Sequence, residues 1–268
     1  MRDGPAWTQL PTHTPPSCPF DTMVGELDAL SQQLAKQGLL SIPEFRSAAP
    51  TVSALVDLAS SPGLALSATR DVPSHQSLPI NQSHGFSLSN MLVDFVTMGM
   101  PALHTTLERL TAAWAVFNLI RWRMCRSKEA FDALPPHYRP TRIQQSVSYP
   151  AWIDPIPWPD ARDKVITHLP PSQYTRFRTM LHETYAIRAW SRPLYECLKR
   201  SDNGHWTLAP AFIQHLHDLN NVALTQKAVD EFPFLADVVN IVPSSEAYAA
   251  TTDSGDIHAD NNYVPLFA

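Results

Sequence analysis

Glycine occurs 8 times in 268 residues, and the two closest, Gly25 and Gly38, stand thirteen positions apart. Loops that cradle a phosphate need glycines within a few residues, so that backbone N–H groups can approach the anion. A P-loop and a dinucleotide fingerprint are therefore excluded, and no Gly-x-Ser-x-Gly nucleophile elbow exists either. Cysteine is rarer still. Cys18, Cys125 and Cys197 are odd in number and far apart, with no Cys-x-x-Cys for a zinc ribbon or a dithiol redox site. Charged residues are 17% of the chain, against about 25% in an average soluble domain. The net charge of −5 leaves no surplus cation to neutralise phosphates, so direct binding of nucleic acid is not expected. No apolar run reaches membrane-spanning length: the longest, around 112–120, is interrupted by Asn118 and followed by Arg121. The N-terminus has no signal-peptide apolar core. An intracellular, cytoplasmic protein without membrane contact is expected.

What is present is proline, 25 residues, and a 44% apolar share, enough for a folded core. Residues 1–20, with five prolines from Pro5 to Pro19, read as a flexible arm. From Asp21, the residues Met23, Leu27, Leu30 and Leu34 recur at helical spacing, with Gly38 as a stop. A second short helix fits 51–60, giving an N-terminal helical segment over 21–60. Residues 61–85 are polar and proline-bearing, a linker or covering loop. The main helical block runs over 86–245. Leu103, Leu107, Leu110, Trp114, Phe117 and Met124 mark its longest helix. Further helices are expected at 160–168, 172–190, 211–230 and 232–242, and a loose acidic tail at 246–268. No period-two stretch of β-branched residues exceeds four or five positions. The expectation is an all-α fold: one helical bundle with a Pro/Trp-rich covering loop and flexible termini.

Motifs for metal and acid–base chemistry are weak. His215 and His217 are two apart, about 200° around a helix, and face different ways. No aspartate cluster suits metal-dependent terpene cyclisation. Neither a metal nor another cofactor is expected. His182 and Glu183 are adjacent mid-helix and point about 100° apart, whereas His104 and Glu108 are four apart and share a face; for both, the plainer reading is a surface ion pair. The basic run Arg121–Lys128 closes the long helix, where cations complement the negative dipole end.

The stretch from Leu134 to Ile166 differs in kind. It holds Leu134-Pro135, Arg139-Pro140-Thr141, Gln144, Tyr149-Pro150, Trp152-Ile153-Asp154, Pro157-Trp158-Pro159 and Arg162-Asp163. With Ile120-Arg121-Trp122 before it and Trp206…Phe212 after, it resembles the fungal domain of unknown function that follows the basic-leucine-zipper region of many regulators. The likeness spans roughly Phe86 to Val229. It departs at Tyr149, where the family expects histidine, at Thr207, where an acid is expected, and after Thr225, where the closing pattern is unrecognisable. No basic region or heptad zipper stands before it, so the resemblance implies a stand-alone member of the secondary-metabolite cluster type.

Physically, prolines fix φ and stiffen this loop, and Trp152 and Trp158 are large apolar faces that need burial. Two functions follow. One is a cofactor-free enzyme of secondary metabolism, a cyclase, isomerase or Diels–Alder-type pericyclase acting on an apolar terpenoid or polyene. Its donors would be Tyr149, Arg139, His104 and His182, and its pocket walls Trp114, Phe117, Trp152 and Trp158. The other is a non-catalytic regulator or ligand-sensing module derived from zipper factors, nuclear and working through a protein partner.

Overall fold

The computed structural model describes residues 5–36, 52–53, 92, 96, 100, 103, 105–188, 190 and 192–243. Eight α-helices are described, together with two small sheets. Helix α1 (Pro19–Lys36) packs against α2 (Thr106–Cys125), the longest helix described. A reciprocal capping box starts α2, Thr105 with Glu108, and Arg126 ends it in the left-handed conformation at φ 46°. From Leu110 to Ile120 every α2 residue is buried. A helix apolar on all sides belongs at the centre of a core, and α2 is that centre. After it come α3 (Lys128–Ala133), α4 (Arg142–Ser146), α5 (Pro159–His168) and α6 (Tyr174–Thr184).

Two short helices and five strands complete the described chain. They are β1 (Tyr185–Ile187), β2 (Leu198–Arg200), β3 (Trp206–Leu208), α7 (Pro210–His217), β4 (Val222–Thr225), α8 (Gln226–Glu231) and β5 (Ile241–Val242). Strand β4 lies between β1, antiparallel with Ala186 opposite Ala223, and β5, parallel with Leu224 opposite Ile241. Strands β2 and β3 form a separate antiparallel pair.

The fold is therefore mixed α/β, and the all-α expectation is corrected. The helix expected over 172–190 ends at Thr184 and becomes β1; the one expected over 211–230 is two helices separated by β4. All four residues of β4 are buried. A short, wholly buried strand shows no alternation and cannot be told from a helix by periodicity. The break was written in turn chemistry instead. Asp218 Oδ1 accepts from Asn220 N–H, and Asn221 Nδ2 donates to the carbonyl of His215. Over 232–242, where a last helix was expected, a single turn (Pro233–Leu235) leads to β5. The helix expected at 51–60, the 61–85 linker, the start of the 86–245 block and the 246–268 tail lie outside the described residues, apart from isolated positions.

Residues 5–17, read from the sequence as part of a flexible arm, lie against the domain. Trp122 Nε1 donates to the carbonyl of Trp7 at 3.0 Å, and Thr14 N–H donates to the carbonyl of Tyr149 at 3.0 Å in a parallel bridge between His13 and Tyr149.

Candidate active site beneath the tryptophan loop

The proline-rich loop is held by a buried knot of polar side chains. Arg162, on α5, is fully buried and spends its fork on four acceptors. These are the carbonyls of His137, Ile156 and Arg139 at 2.8, 2.7 and 2.8 Å, and Gln144 Oε1 at 2.9 Å. Gln144 closes a capping box with Thr141 and turns its amide to Tyr149 Oη at 2.8 Å and Asp154 Oδ1 at 3.0 Å. The Tyr149 hydroxyl donates to Asp154 Oδ1 at 2.6 Å. Asp154 Oδ2 faces His13 Nε2 at 3.0 Å and Arg123 at 3.7 Å, and Arg123 also pairs with Asp28 at 2.5 Å. Thr141 Oγ1 donates to Asp163.

Burial alone would raise the Asp154 carboxyl. The hydrogen bond and charge of His13, the charge of Arg123 and the Tyr149 hydroxyl outweigh it and hold the group below the usual carboxylate value. Burial and the Asp154 charge together push the Tyr149 hydroxyl well above the ordinary phenol value.

Beneath this loop lies an apolar chamber of about 90 Å³. Its walls include Phe20 at the start of α1, Ala112 and Ala115 on α2, Trp152 and Trp158 on the loop, and Leu181 on α6. The polar groups around it are few: Arg178 and His182 on α6, Tyr138, Tyr185 and Cys18. Burial, helped by the Arg178 charge, pulls His182 down from 6.5 to about 4, so its imidazole is neutral at pH 7. Tyr138 and Tyr185 hydrogen-bond to each other, and burial holds both hydroxyls above their usual value. The thiol of Cys18 is also raised, chiefly by burial, and stays protonated.

Three nitrogen donors on chamber residues have no partner: Trp152 Nε1, Trp158 Nε1 and Arg178 Nε are buried and unbonded. The Arg178 guanidinium also stands 6.0 Å from the Trp152 ring.

The structure divides the sequence-derived residues sharply. His182, Trp152 and Trp158 meet at the chamber. Tyr149 does not. It is 2% exposed, faces Asp154 and Gln144, and borders instead a separate open groove. Arg139 is turned to the carbonyls of Leu134 and Asp132 and lies 5.0 Å from the Phe131 ring, fastening the loop. Trp114 and Phe117 are buried in the core off the chamber wall, Trp114 against Tyr138 and His217. His104 lies outside the described residues. The pair His215 and His217 diverges as expected, one toward the carbonyl of Arg188 and the other toward Trp114.

Arg178, Tyr138 and Tyr185 were missed. One signal was available: Tyr174, Arg178 and His182 step by four along α6 and so share a face.

These features define a mixed α/β domain whose proline–tryptophan loop is clamped by a buried ion network over an apolar chamber. Residues 117–242, just under half of the chain, match the family model described as Domain of unknown function (DUF3425). No curated protein and no solved structure matches the chain. Among the described residues no helix is long and apolar enough to cross a membrane, and no group of three or more His, Cys, Asp or Glu could hold a metal ion.

Proposed function

We propose that the protein is a cofactor-independent cyclase or isomerase of secondary metabolism, of the pericyclic type, acting on an apolar precursor that carries a conjugated carbonyl. The observation that carries this reading is an apolar chamber whose wall residues bear three nitrogen donors without acceptors. Leaving a buried donor unpaired costs about 1–3 kcal/mol. A carbonyl oxygen on a bound substrate would recover that cost. A pericyclic closure redistributes π electrons within the substrate and asks for no nucleophile, base or redox partner. It asks for a dry enclosure that holds the reactive conformer and for donors directed at the activating oxygen. A neutral His182 can donate to that oxygen without protonating it.

The donor set is accordingly His182 with the indoles of Trp152 and Trp158, in place of Tyr149 and Arg139, which the loop clamp occupies. The test is turnover: purified full chain, incubated with linear precursors, changes the rate or stereochemistry of closure. His182→Phe lowers kcat by about 100- to 1,000-fold, the scale of losing one such donor. No change across the precursors overturns the reading.

A ligand-sensing module is the second reading. The size of the chamber favours it over turnover of a large precursor, since about 90 Å³, below the roughly 300 Å³ of drug-sized sites, has room only for a small guest. It predicts saturable binding of a small apolar molecule without turnover.

A further inference from the structure

The chamber has a charged neighbour on its wall. Arg178 lines both the chamber and the open groove of about 470 Å³ on the other side. The two spaces share a wall: Ser17 borders the groove and Cys18 the chamber, while Pro150 borders the groove and Trp152 the chamber. The groove is the more polar of the two. Hydroxyl-bearing Thr14, Ser148 and Thr175 border the groove, whereas the chamber is walled by indole rings, alanines and leucines.

Among the described residues Arg178 makes no ion pair, and its Nε is buried without a partner. Asp21, whose charge is felt at Cys18 beside Arg178, is already engaged: its carboxylate accepts from Ser17 N–H and Oγ–H and from Trp152 N–H. The guanidinium stands 6.0 Å from the Trp152 ring centroid, at the boundary. A planar fork with an unbonded Nε is the group that receives a carboxylate in two parallel hydrogen bonds.

We propose that the natural ligand is an apolar carboxylic acid, its carboxylate on Arg178 at the groove and its hydrocarbon body in the chamber. This rests on the chamber being a ligand site, as argued above, and adds the acid class of the ligand and its orientation. The apolar end enters beneath the tryptophans and the charged end remains wetted by the groove.

The test compares phenylacetate with phenylacetamide, an isosteric neutral probe, on the full chain by titration calorimetry, with toluene as the apolar reference. Phenylacetate is expected to bind about tenfold or more tightly than the amide, as one charge-assisted pair provides. Arg178→Gln should erase that preference by weakening the acid far more than the amide, with far-UV circular dichroism verifying the fold. In the unmodified protein the preference should shrink as salt rises, an independent reading of the same charge. Equal affinities for acid and amide, or a preference that survives in Arg178→Gln, overturn the acid assignment while toluene binding keeps the chamber as a ligand site. If toluene and both probes all fail to bind, the chamber reading falls, and this inference with it.

Discussion

Replacing Tyr149 by phenylalanine separates a reacting hydroxyl from a structural one. The hydroxyl donates to Asp154 Oδ1 at 2.6 Å and accepts from Gln144 Nε2 at 2.8 Å. Tyr149→Phe deletes a hydrogen bond to a buried carboxylate, worth about 1.5–3 kcal/mol. Asp154 keeps Gln144 Nε2, His13 and Arg123 as partners, so the loss stops short of a stranded charge. A destabilisation of about 2 kcal/mol is expected, and for a chain of this size that lowers Tm by roughly 4–8 °C. The variant also changes the acid limb. The native Asp154 carboxyl lies below its ordinary value, so it contributes stability above pH 3.8 that is lost as pH falls through the folded value. Without the Tyr149 hydroxyl the folded value moves back up, and acid unfolding begins at higher pH. Urea titrations followed by tryptophan fluorescence at pH 7 and at pH 3–5 measure both effects. Binding of toluene should not change, because Tyr149 is off the chamber wall. A variant of unaltered stability that has lost binding or turnover would refute the clamp and return Tyr149 to the reacting centre.

Three further outcomes follow from the same geometry. Arg162→Met strands Gln144 Oε1 and the carbonyls of His137, Arg139 and Ile156, and should cost at least about 3–5 kcal/mol, read as loss of the cooperative urea transition at 25 °C. His137 and His182 fall from 6.5 to about 4 on folding, each chiefly through burial, so between those values the unfolded chain binds more protons. Stability must therefore fall as pH drops from 7 to 4, by up to about 3 kcal/mol per histidine, and His182→Gln should flatten the urea midpoint–pH curve by about half. Ala115→Leu, which places three extra carbons in the chamber, should abolish toluene binding in a titration while leaving the Asp154 network, and with it the acid limb, unchanged.

The loop was the most legible part of the chain and the sheets the least. Arg139, Thr141, Gln144, Asp154, Arg162 and Asp163 stood out as a motif, and the structure joins them in one network, because residues that satisfy each other in a dry interior constrain one another's identity. Their use was harder to read. A tyrosine where a histidine was expected looked like a recruited donor, yet its hydroxyl serves the same buried carboxylate that His13 reaches from the arm. That arm contact, 141 positions away in sequence, leaves no local pattern. Strand β4 was lost to a helix because Val222–Thr225 is buried on every side, so no alternation marks it. Arg178 went unremarked because a cation on an amphipathic helix reads as solvated until the opposite wall is placed.

Everything functional here depends on the chamber under Trp152 and Trp158 being dry and open to an apolar guest. Xenon under pressure in crystals of the full chain tests this directly, since apolar cavities take up the gas and polar ones hold water. A xenon peak enclosed by Ala115, Trp152 and Trp158 is the predicted result. Ordered water filling that space, or side chains closed upon it with no bound gas, would contradict the account.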